Sequence, residues 1–185
     1  MPPRVASFLA GAALVFPGLA LAQDWRPGGA YLAEGGVSVH GTAMAALGAW
    51  WPWKGAGAPA QADSSWSVAT EAWLAHWRAR EPGGGHASFT QLAVSPMLRW
   101  RWAGGASPWF IEAGAGLSLN DRRYRRERKQ FSTTWNFVDT LGLGLSFGAA
   151  GEQEISLRLM HVSNAGLREP NPGENFLLLR YARRF

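Results

Sequence analysis

Two side chains near the C-terminus have the types and spacing of a hydrolytic pair. His161 and Ser163 end an alternating apolar run, Ile155–Ser163. Residues i and i+2 of a β-strand share a face, so the imidazole and the hydroxyl point the same way. Ile155, Leu157 and Leu159 lie on that face too. A serine hydroxyl becomes a nucleophile when a base takes its proton. A third group must then hold the other ring nitrogen, and an oxyanion needs donors aimed at it. Asn164 follows the serine directly, as oxyanion donor or organiser of the site, and Gly166 admits unusual backbone geometry two residues later. Hydrolysis of a lipid would explain a polar pair on an apolar face. The pair alone would equally fit interfacial polar residues at a strand end.

The elements that must position this pair read as all-β. Eight strand-like segments are separated by turns rich in Gly, Pro, Asn and Asp. They run over 29–37, 42–51, 65–77, 87–102, 108–119, 133–147, 154–163 and 174–185. Leu92, Val94, Leu98, Trp100 and Trp102 share one face, with Gln91, Ser95, Arg99 and Arg101 opposite. Leu141, Leu143, Leu145 and Phe147 oppose Gly142, Gly144 and Ser146. An apolar exterior around a small, polar or charged interior is the pattern of a transmembrane β-barrel. A soluble sandwich inverts it, and periodicity alone does not say which face is inside. Leu177, Leu179, Tyr181 and Phe185 alternate up to a terminal Phe, which resembles the C-terminal signal of bacterial outer-membrane barrels. Residues 66–80 also fit helical spacing through Trp66, Ala69, Trp73 and Trp77. They are taken as a strand because eight strands close a small barrel filled by side chains.

Composition supports export to a membrane. Arg4, the apolar stretch Phe8–Leu21 and Ala20-Leu21-Ala22 make a secretory signal over 1–22, leaving 23–185 as the barrel. There is no cysteine, which excludes a disulfide scaffold, a thiol nucleophile and a Cys-based zinc site. Eleven Trp and nine Phe fit aromatic girdles at membrane interfaces. His40, His76 and His86 have no metal-site spacing, and no metal or cofactor is expected. Glu112 and Arg99 or Arg101 are expected to pair in the lumen. The positive surplus gathers in Asn120–Gln130, which holds Arg122, Arg123, Arg125 and Arg126. These arginines either form a solvated loop or bind lipid phosphates. Lipid phosphate suits an exported chain better than nucleic acid does. An even strand number puts both chain ends at the periplasmic end, and this basic loop and the His/Ser motif together at the other.

The stretch from His161 to Leu167, HVSNAGL, followed by Pro170-Asn171-Pro172-Gly173 and a final strand, resembles the lipid A 3-O-deacylases of the PagL family. The likeness extends to Ser107–Leu119 and Trp135–Phe147. It implies an eight-stranded outer-membrane barrel with a Ser-His-acid site on its outer wall. It implies His161 as base and Ser163 as nucleophile, with lipid A of lipopolysaccharide as substrate. The family's glutamate stands two residues after the glycine of the Pro-Asn-x-Gly motif, and here that residue is Asn175. Register from Phe185 puts Asn175 outward and Glu174 inward, unless a bulge swings Glu174 out. Both are therefore candidates for the third member, with Asn175 favoured. The alternatives are an outer-membrane phospholipase using the same group and a non-catalytic structural or adhesion barrel. A homodimer is compatible with either, and no residue specifies one.

Overall fold

A computed structural model of the chain describes residues 28–53, 65–81, 83–126 and 129–185. The signal segment 1–22 lies outside the described residues. Ten strands form: β1 (Ala30–Ser38), β2 (Ala43–Pro52), β3 (Trp66–Arg80), β4 (His86–Arg101), β5 (Trp109–Asn120), β6 (Arg125–Arg126), β7 (Lys129–Gln130), β8 (Trp135–Phe147), β9 (Gln153–Ser163) and β10 (Glu174–Arg184). Eight of them close an antiparallel barrel in the order β1-β10-β9-β8-β5-β4-β3-β2. Closure pairs β1 with β10 from Ala30↔Arg184 to Ser38↔Phe176. The segment that also fitted a helix is β3, paired without a break to β4 from Trp66↔Trp100 to Arg80↔His86. β6 and β7 form a two-stranded ribbon inside the basic connection.

The apolar face is outside. Leu92, Leu98, Leu117, Leu141, Leu157 and Leu177 are all exposed, whereas Glu71, Glu112, Arg158 and Arg180 are buried. Such an exterior calls for lipid, because the carboxylates and guanidiniums of the lumen are matched by one another. Arg158 reaches Glu71 at 2.6 Å, Glu112 at 2.8 Å and Glu34 at 3.4 Å. Arg99 bridges Glu112 at 2.8 Å and Glu154 at 2.7 Å, so the expected lumenal pairing is present. Gly144 leaves its interior side to the Phe110 ring, which a side chain at that position would strike.

This network fills the half of the lumen nearer the chain termini. The other half is aromatic: Trp77, Phe89, Phe131 and Phe176 are buried around Tyr124. Tyr124 and Phe131 come from the connection between β5 and β8, so the basic loop folds inward and plugs the mouth. The tryptophans divide accordingly. Trp66, Trp102 and Trp109 stand exposed at the terminal end, beside Tyr31, Tyr181 and Phe185, as a girdle requires. Trp50, Trp73 and Trp77 instead face the lumen, because their strand parity turns them inward. Girdles thus account for only part of the tryptophan content.

Candidate active site

The site lies on the outer wall where β8, β9 and β10 run side by side. Strand parity carries His161 to the outward face with Leu157 and Leu159, and Ser163 ends the same strand. Across β10 the partner of His161 is Asn175. Its side-chain oxygen sits 2.6 Å from the imidazole Nδ1. An amide oxygen only accepts, so Nδ1–H donates to it and Nε2 keeps its lone pair. That tautomer is the one a general base needs.

Ser163 is 8% exposed, covered by the connection between β9 and β10. Gly173, in that connection, has φ +57°. A Cβ there would lie 2.8 Å from His161 Cε1, 3.4 Å from Nε2 and 3.7 Å from Ser163 Cβ. The backbone therefore crosses over the ring edge and beside the serine, and only glycine leaves the ring in place. No hydrogen bond joins Ser163 Oγ to His161 among the described residues. The serine Oγ instead accepts from the Ala165 amide at 3.4 Å. Catalytic contacts are often long in unliganded enzymes and tighten with substrate bound.

The two candidates for the third position separate cleanly. Glu174 is 0% exposed and faces the lumen. His40 Nδ1 donates to its Oε1 at 2.9 Å and the Tyr124 hydroxyl donates to its Oε2 at 2.8 Å. No bulge occurs: Glu174↔Val162 and Asn175↔His161 are consecutive pairs. Regular pleating puts neighbours on opposite faces, so Glu174 is not brought to His161. Burial holds the Tyr124 phenol above its ordinary pKa, keeping the hydroxyl as donor.

Asn164 is tied into the surrounding loops. It is 1% exposed, and its Nδ2 donates to Ser132 Oγ and the Arg168 carbonyl, both at 2.8 Å. Its Oδ1 accepts from the Gly166 amide at 3.0 Å, and its own amide donates to Asn171 Oδ1 at 3.1 Å. A side chain committed in this way ties two connections together and leaves no donor for an oxyanion. Gly166 has φ +77°, but its amide is spent on Asn164. The donor nearest the serine is the Ala165 amide, on a residue with φ +54°. The amides near Ala165–Gly166 follow the serine directly and were legible as donors in the sequence, whereas Ser132 was not legible as a partner of Asn164, because it lies 32 residues away in another connection.

The basic connection is more constrained than a solvated loop. Arg125 pairs with Glu81 at 3.0 Å and Arg122 with Asp121 at 3.2 Å. Arg123 is exposed, and Arg126 lines a cleft with His40, Gly41, Arg80 and His86. Lys129 donates to the Gly173 carbonyl at 3.1 Å, linking this connection to the residue over the histidine. Burial lowers the Lys129 pKa, with Glu174 opposing the shift.

A family model described as lipid A 3-O-deacylase (PagL) matches residues 39–184. The chain is 31% identical over 134 residues to a lipid A deacylase PagL of Pseudomonas aeruginosa, an alignment covering 69% of each protein. It is 37% identical over 95 residues to a lipid A deacylase PagL of Bordetella bronchiseptica, covering 51% of this chain and 50% of that one. The crystal structure of the outer membrane enzyme PagL superposes with a TM-score of 0.71 at 26% identity, over 84% of this chain and 99% of that one. A designed transmembrane β-barrel shares the fold alone, with a TM-score of 0.53 at 10% identity, over 89% of this chain and 100% of that one.

Proposed function

This chain belongs to the lipid A 3-O-deacylase (PagL) family, and on that premise we propose that Ser163, His161 and Asn175 carry out the deacylation. The protein is an outer-membrane β-barrel hydrolase acting on the 3-linked acyl ester of lipid A. One observation supports this residue assignment above the others: the 2.6 Å bond from His161 Nδ1 to Asn175 Oδ1, beside Ser163 on the outward face.

In this reading the acyl chain lies along the wall over Leu159, Phe137 and Leu177, and the ester reaches Ser163 at the edge of the apolar band. His161 Nε2 takes the serine proton as Oγ attacks the carbonyl carbon. The Ala165 amide turns from Oγ to the oxyanion. Collapse of the tetrahedral intermediate breaks the bond to the sugar oxygen, which leaves with the proton from His161. Water, deprotonated by the same ring, then releases the fatty acid and restores Ser163. Asn164 and Gly166 hold the loop, and Gly173 keeps its space clear. The exposed Arg123 and the cleft at Arg126 suit phosphate groups of the substrate, while Arg122 and Arg125 would first give up Asp121 and Glu81. The reaction as written needs one copy of the chain. The mature chain is taken to begin at Gln23, with the site end of the barrel facing the outer leaflet.

The test is mass spectrometry of lipid A from outer membranes carrying wild type or Ser163→Ala at matched levels. The expected result is loss of one 3-hydroxyacyl chain with wild type alone. Deacylation by Ser163→Ala would remove Ser163 from the mechanism.

A further inference from the structure

We propose that Asp139 supplies His161 with the negative charge that position 175 lacks. This rests on the reading of His161 as the general base. Asp139 lies on β8 as the direct cross-strand partner of His161, on the side opposite Asn175. It is exposed on the outward face, between Phe137 and Leu141 along its own strand and beside Ala115 across β5. Every other carboxylate on the described barrel strands, Glu34, Glu71, Glu112, Glu154 and Glu174, is buried in the lumen. Among the described residues Asp139 makes no side-chain hydrogen bond or ion pair.

An unpaired carboxylate on a lipid-facing wall is unfavourable, and such groups generally have a functional reason. The titratable side chain beside this one is His161. Direct cross-strand partners hold their Cβ atoms about 4.5–5.5 Å apart, which brings the carboxylate within Coulomb range of the ring. An opposite charge at that range favours the protonated form of histidine, the form His161 adopts on taking the serine proton. The work divides between two strands. Asn175 fixes the tautomer and ring angle from β10 without charge, and Asp139 contributes charge from β8 without fixing the ring. Asp139 is thus a positioning residue in the electrostatic sense, and it touches neither the serine nor the ester.

The remaining groups around His161 do not replace it. β9 offers Leu159 and Ser163, β10 offers Asn175 and Leu177, and the covering loop offers Gly173. Lys129, on the Gly173 carbonyl, and Arg168, whose carbonyl holds Asn164, are cations and would disfavour an imidazolium.

The test is Asp139→Asn, which keeps size and removes charge. Kinetics are measured on lipid A in mixed micelles, with folding checked by gel mobility before and after heating. The rate constant kcat is expected to fall about 10- to 100-fold with KM within about twofold. Adding Asn175→Glu puts the charge back from the other strand, and is expected to return kcat. A folded Asp139→Asn enzyme with wild-type kcat would overturn the proposal. So would a loss that Asn175→Glu leaves in place. Ser163→Ala, run alongside, separates the two levels. If it is inactive while Asp139→Asn is fully active, only the charge assignment fails; if Ser163→Ala is active, the catalytic reading fails with it.

Discussion

The lumen and the outer wall of this barrel treat polar groups in opposite ways. Inside, Arg158 meets three carboxylates, Arg99 meets two, and Glu174 accepts from both His40 and Tyr124. Outside, among the described residues, His161 has one partner on one ring nitrogen, Ser163 Oγ receives a single long bond, and Asp139 has no bonded partner. Glu174 and Asn175 show the contrast within two consecutive residues. A satisfied network in low dielectric holds a shape and is costly to break. Groups with valence to spare are the ones that can meet a substrate. The difference teaches where to look for chemistry in a barrel whose charges are mostly interior.

The sharpest way to break this comparison is at the serine. Ser163→Ala and His161→Ala should each cut deacylation about 10⁴-fold, while the unfolding midpoint in urea stays at the wild-type value. Arg158→Ala should do the reverse. It leaves Glu34, Glu71 and Glu112 without their shared cation, and should destabilise the barrel by about 3–5 kcal/mol, read by urea titration in detergent. The kcat of its folded fraction should match wild type. Asn175→Ala comes next, with about a 100-fold loss of kcat from a freed ring. Glu174→Gln, one residue earlier, should stay within about threefold in kcat and lose about 1–3 kcal/mol of stability. An equal effect of both on kcat would erase the distinction between inner and outer face. The smallest effect is expected at the exposed Arg125–Glu81 pair, where Arg125→Ala should cost about 0.2–1 kcal/mol.

Much of this was legible in the residues. Alternation in β4, β5, β8 and β9 specified the strands and both faces, and the run to Phe185 supported the choice of exterior. Parity favoured Asn175 over Glu174 but left both open, because a bulge would have reversed them; the regular pairing with β9 separates them. What the residues did not reveal depends on register across the sheet or on loops folding back. Asp139 stands beside His161 only because the hairpin between β8 and β9 sets that pairing. Asn164 reads as a free amide until Ser132 and Arg168 are brought to it by two different connections. Tyr124 reads as part of a charged loop, yet burial in the aromatic half of the lumen makes it the plug of the mouth. The helical spacing of Trp66, Trp73 and Trp77 is a coincidence of strand parity, with the latter two facing inward.

With His161 and Ser163 as the proposed catalytic pair, their outward placement has a consequence for rate laws. An active site on the wall of the barrel meets its substrate by lateral diffusion within one leaflet. The relevant concentration is then a mole fraction among lipids, and adding inert amphiphile at constant total substrate slows the reaction by surface dilution. The released fatty acid enters the same two-dimensional phase, beside the wall it just left. Product inhibition should therefore follow the composition of the leaflet around the enzyme, and the volume of the surrounding solution should have no bearing on it.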